Sequence, residues 1–125
     1  MPQITLPIKG IDYPNKRGPT RRFAVELLSP GDAVELRPEP KNPEDEHAIA
    51  VYSAEGLQIG YLPAERAPFV GMMMRRGEVA AIFQGRAPHA AFVRIGLDGE
   101  VPTLPPVKEP APPADDWWPD EEWPD

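Results

Sequence analysis

The chain has 125 residues, no cysteine, 19 prolines and a formal net charge of −7. A single domain is expected, because two separate cores would leave each half near the lower limit of independent folding. The lack of cysteine excludes a disulfide scaffold, an iron–sulfur site and any thiolate zinc site, and with His47 and His89 as the two imidazoles neither a metal nor a cofactor is expected.

In chain order, QITLPIKGI alternates like a strand, and Asp12 to Thr20 is turn-rich and basic. Thr20 is suited to cap a short helix over RRFAVELL, with Phe23, Leu27 and Leu28 on one face, although Val25 and the Ser-Pro-Gly stop suit a strand nearly as well. AVELR (33–37) and AIAVYS (48–53) read as strands, and LQIGYL (57–62) follows the Ala54-Glu55-Gly56 turn as the second arm of a hairpin. Gly60, inside a strand pattern, signals a bulge or the close approach of another backbone. Pro63 starts a helix, and Pro68 is tolerable only in a first turn, so the spacing predicts a break there and a short helix from about Ala67 to Arg76, ended by Gly77, with Phe69, Met72 and Met73 facing the core. VAAIFQG (79–85) and AFVRIGL (91–97) supply two further strands. Five or six short strands with one or two small helices predict a mainly β fold, a small and partly open barrel.

The last segment differs in kind. Residues 1–101 carry 12 Lys and Arg against 13 Asp and Glu, whereas residues 102–125 set Lys108 against seven acids and hold 8 prolines and all three tryptophans. A stretch so poor in aliphatic residues and so broken by proline cannot offset its chain entropy by burial, so 1–101 is read as the folded domain and 102–125 as a disordered tail. No apolar run approaches the roughly 20 residues of a membrane-spanning helix, and MPQITLPIKG lacks the pattern of a signal peptide, so a cytoplasmic protein away from membranes is expected.

One string stands out: Glu39-Pro40, then Asn42-Pro43-Glu44-Asp45, Ala48-Ile49-Ala50-Val51 and Gly56-Leu57-Gln58-Ile59-Gly60-Tyr61-Leu62, with Gly10-Ile11-Asp12-Tyr13 upstream. It resembles the HIRAN domain family over roughly residues 6 to 97. The order has a physical sense: Pro40 and Pro43 stiffen a turn in which Asn42 and Asp45 bond nearby backbone N–H groups, and Tyr61 sets a ring at a strand end. The resemblance implies an OB-like barrel that captures the 3′ end of single-stranded DNA. By that resemblance Tyr13 corresponds to a tyrosine that stacks on a base, and Asp45 to the carboxylate that binds the terminal 3′-hydroxyl. The chemistry is coherent, since a carboxylate accepts a hydrogen bond from a free hydroxyl and repels a continuing phosphodiester. A stacked base adds about 1–3 kcal/mol.

The chain also departs from the family pattern. Glu44 stands where the turn has a second aromatic, Asp12 where a basic residue precedes the tyrosine, and Pro63-Ala64 where basic residues follow the hairpin. Against these losses, the loop after Tyr13 carries Lys16, Arg17, Arg21 and Arg22 with no acid between them, a candidate phosphate track or a solvated loop. No G-x-x-x-x-G-K-[ST] and no Ser/His/acid set is present, so the chain is not expected to be an enzyme. His47 reads as structural and His89 as exposed. The tail DDWWPDEEWPD interleaves acids with Trp117, Trp118 and Trp123, charges standing in for phosphates and indoles for bases. Two readings follow: a non-catalytic module binding single-stranded DNA in repair or replication, with Tyr13, Tyr61, Asp45 and the basic loop as its site, or a protein-interaction scaffold whose tryptophan tail docks on a partner. The oligomeric state is not legible.

Overall fold

The computed structural model describes residues 2–16 and 18–105. Among these residues six strands and two short helices follow one another as β1 (Gln3–Pro7), α1 (Arg21–Glu26), β2 (Ala33–Pro38), β3 (Ile49–Ser53), β4 (Gln58–Tyr61), α2 (Ala67–Arg76), β5 (Ala80–Ala87) and β6 (Ala90–Gly96). All pairings are antiparallel, in the order β1-β6-β5-β2-β3-β4. Alternation turns one face of the strands inward, as with Ala91, Val93 and Ile95 in β6, and the core joins these to Leu6, Ile49, Val51, Ile59 and Phe83. Among the described residues no helix is long and apolar enough to cross a membrane.

The sheet curls until its edges meet. Just past β1, the Lys9 N–H donates to the Tyr61 carbonyl at 2.7 Å and the Tyr61 N–H donates to the Lys9 carbonyl at 2.9 Å, while the Ile8 N–H reaches Ala91 on the other side at 2.8 Å. Gly60 makes this seam possible. Its φ is +154°, and a Cβ there would lie 2.5 Å from both Ile8 Cγ2 and the Lys9 carbonyl oxygen. The close approach expected of a glycine in a strand is the closure of the barrel itself.

Both helices form, each turned differently from the sequence expectation. Thr20 caps α1, its hydroxyl accepting from the Phe23 N–H at 3.1 Å. The buried stripe is Arg21, Ala24, Val25 and Leu28, while Phe23 and Leu27 are 49% and 53% exposed. Small Ala24 lets the helix lie close to the sheet, and the inward position at its start is taken by Arg21 rather than by an aromatic ring. In α2 the inward residues are Ala67, Val70 and Met73, with Met72 half-buried and Phe69 43% exposed. Pro68 sits in the first turn, and the Gly77 N–H closes the helix on the Met73 carbonyl at 3.0 Å.

The folded body continues past residue 101. Pro102 is buried, and the Thr103 N–H donates to Gln3 Oε1 at 2.9 Å, so the chain through Pro105 packs beside the start of β1. The rest of the segment expected to be a tail, 106–125, lies outside the described residues.

Candidate nucleic-acid interface

The loops at one end of the seam converge on two adjoining clefts. Gly10 begins the first. At φ +77° it forms a turn in which the Tyr13 N–H donates to the Gly10 carbonyl at 3.0 Å, and the bare Cα leaves room for the Arg21 guanidinium. This is the local reason for a Gly-x-x-Tyr spacing: the glycine bends the chain and the tyrosine is presented three residues on. The ring of Tyr13 is 70% exposed.

Arg21 holds the loop from below. Its side chain is buried, with Nε donating to Asn15 Oδ1 at 2.9 Å and a terminal nitrogen donating to the Gly10 carbonyl at 3.0 Å. Asn15 in turn donates to the carbonyls of Pro19 and Gln58, tying the loop to β4. The guanidinium carbon lies 5.5 Å from the centroid of the Tyr61 ring.

Opposite stands the proline-stiffened turn. Asn42 Oδ1 accepts from the Glu44 and Asp45 N–H groups at 2.8 and 3.2 Å, and Asp45 Oδ1 accepts from the His47 N–H at 2.9 Å. The turn expected from Asn42 and Asp45 is therefore built as their side chains allow. Asp45 is half-buried, and its second carboxylate oxygen has no hydrogen-bond partner among the described residues. Glu39 couples this turn to the hairpin: its Oε1 accepts from Asn42 Nδ2 at 3.0 Å and from the Tyr61 hydroxyl at 2.8 Å. Partial burial pushes the Tyr61 phenol above its ordinary range, and the Glu39 carboxylate adds to that shift.

These parts frame a cleft of about 820 Å³ lined by Tyr13, Asp45, Glu44, Asp12, Lys9 and Tyr61 among others. Tyr13, Asp45 and Tyr61, which the sequence singled out from three separate segments, meet here. A second cleft of about 900 Å³ adjoins it, lined by Lys16, Lys41, Glu39, Tyr52 and Pro14 among others, and shares Arg21, Asn42, Pro43 and Tyr61 with the first.

The four cations of the loop fall in different settings. Lys16 is exposed on the second cleft. Arg22 pairs with Asp12 and faces a separate hollow beside Arg86 and His89, Arg21 is buried in the contacts above, and Arg17 lies outside the described residues. Trp117, Trp118 and Trp123 also lie outside them. His89 is exposed as expected, whereas His47 contributes its backbone N–H to the turn and leaves its imidazole exposed. Sequence reasoning missed Asn15, Lys41 and the coupling role of Glu39. The Glu39-Pro40 pair and the position of Lys41 beside Asn42 were the available signals. No group of three or more His, Asp or Glu residues among the described ones is arranged to hold a metal ion.

Residues 4–95 match the family model described as the HIRAN domain. Among solved structures, the HIRAN domain of human HLTF is similar at a TM-score of 0.60 and 19% identity, over 76% of this chain and 74% of that one. A protein from Lactobacillus plantarum is similar at a TM-score of 0.57 and 20% identity, over 74% of this chain and 91% of that one. No curated protein matches.

Proposed function

The chain belongs to the HIRAN domain family, and we propose that it is a non-catalytic module that binds single-stranded DNA at its 3′ end, acting in DNA repair or replication. Family membership supports nucleic-acid binding in general. The observation that carries the finer reading is the cleft in which an exposed Tyr13 ring, the Tyr61 ring and a half-buried Asp45 carboxylate face one space. Tyr13 supplies a face on which a terminal base stacks. Asp45 has one oxygen committed to the His47 N–H and the other free to accept from a sugar hydroxyl. A phosphate at that position would meet Asp45 with Glu44 beside it, so the pocket selects for an unmodified end.

The test is fluorescence anisotropy of the full chain with oligothymidylates ending in a 3′-hydroxyl or a 3′-phosphate. The hydroxyl end should bind about tenfold more tightly, a difference of about 1.4 kcal/mol. Asp45→Asn retains an oxygen for the His47 N–H, so the turn persists while the bias against phosphate narrows. Equal binding of the two ends by the unaltered chain overturns end recognition, and binding of neither overturns the reading as a whole.

A further inference from the structure

The geometry points to a phosphate track through the second cleft, in which Lys16 and Lys41 hold the 5′ side of the strand whose 3′ end occupies the first. This rests on the single-strand reading above and adds where the rest of the strand runs.

Charge is divided between the two clefts. The first presents Glu44 and Asp45 against the exposed Lys9, with Asp12 also at its wall though paired with Arg22, so carboxylates outweigh exposed cations there. Such a surface accepts a terminus bearing a hydroxyl and repels successive phosphodiesters. A strand that ends there must carry its phosphates away. The second cleft adjoins it through Tyr61 and Asn42 and presents two exposed lysines, Lys16 from the loop after Tyr13 and Lys41 from the turn after β2. Its one carboxylate among the described residues, Glu39, is engaged through the same oxygen by the Tyr61 hydroxyl and the Asn42 amide, which lowers its repulsion of an incoming anion.

The divider between the clefts is held in place. The Tyr61 hydroxyl is bonded to Glu39, its backbone forms the barrel seam, and the Arg21 guanidinium stands near its ring. A strand crossing this ring passes from an acidic pocket to a basic one, and the crossing fixes its polarity. Tyr52 lines the second cleft too, with the Arg37 guanidinium carbon stacked 3.9 Å from the centroid of its ring. Among the described residues of the basic loop, Lys16 is therefore the exposed cation on this path, and its companion comes from a different segment.

Two oligonucleotides with free 3′-hydroxyl ends separate the clefts: a dithymidylate, short enough for the end pocket, and an octathymidylate, long enough to continue. Affinities are measured across a salt series for the full chain and for the Lys16→Ala/Lys41→Ala double variant. Arg75→Ala/Arg76→Ala, at the end of α2 and on neither cleft, removes equal charge as a control. Each phosphate contact on a single strand contributes about 0.7 to the salt slope, so the lysine variant should bind the octathymidylate with a slope shallower by about 1.4. Its dithymidylate affinity and the control's slopes should stay unchanged. An unaltered octathymidylate slope, or equal losses for both lengths, overturns the track and leaves the end pocket standing. Failure of both oligonucleotides to bind the unaltered chain overturns the single-strand reading and the track with it.

Discussion

Tyr61 belongs to three systems at once: its backbone closes the barrel, it lines both clefts and its hydroxyl donates to Glu39. Arg21 completes the arrangement, since a buried guanidinium with fixed donors reaches Asn15 and Gly10 in different directions, as a lysine ammonium on a flexible stem would not. The hydroxyl has a pH consequence. Burial favours the neutral phenol, so the folded-state pKa lies above the unfolded one. A raised pKa of this kind contributes stability that is fully present below the ordinary tyrosine value of about 10 and is lost as pH rises through the higher folded value. Tyr61→Phe keeps the ring and the seam. At neutral pH it should lower stability by only about 1 kcal/mol, because Glu39 Oε1 still accepts from Asn42. Denaturation midpoints followed into alkaline solution should decline less steeply in the variant than in the unaltered chain. A parallel decline would show that the Tyr61 hydroxyl is not the group that titrates.

At the level of elements, the seam between Ile8-Lys9 and β4 is the most exacting contact. Gly60→Ala sets a methyl group 2.5 Å from a backbone carbonyl and from Ile8, at a φ that side chains rarely adopt. Backbone cannot yield there as the tip of a side chain would, so the expected loss is about 1–3 kcal/mol, read as a lowered thermal midpoint. An unchanged midpoint would show that the seam opens without cost. Gly60 was legible because it interrupts an apolar alternation, and the strands and α2 because periodicity and the Pro68 and Gly77 punctuation agree. The rotations of the helices were not. Phe23 and Phe69 are the largest apolar residues of their segments, yet the chain turns smaller residues inward at Ala24, Val25, Ala67 and Val70, and the space available against a curved sheet is set by distant strands. The site was legible in a similar measure. Tyr13, Asp45 and Tyr61 stood in motifs whose turns and strand ends bring them together. Whether a cation in the basic loop points to solvent, to Asp12 or into the core depends on contacts with Gly10 and Asn15 that no local pattern encodes.

For the whole molecule, the central fact is a near-neutral body followed by an acidic segment. The described chain leaves beside Gln3, where the Thr103 N–H is bonded, and Gln3 is separated from Gly10 by the length of β1 and the seam. At about 3.3 Å per residue that separation is roughly 20 Å. In water, two unit charges roughly 20 Å apart interact by only about 0.2 kcal/mol, so repulsion from that far is a small term for each acid. The Debye length is about 30 Å at 0.01 M salt and about 8 Å at physiological ionic strength, so repulsion acting across this distance is felt at low salt and largely screened otherwise. Replacing Asp115, Asp116, Asp120, Glu121, Glu122 and Asp125 by the corresponding amides preserves all three tryptophans. At low salt the full-length variant should bind an octathymidylate a few-fold more tightly than the unaltered chain, and at physiological salt the two anisotropy curves should converge. A gain that survives at physiological salt would overturn the long-range account, because short-range competition for the lysine-lined cleft is what screening leaves in place.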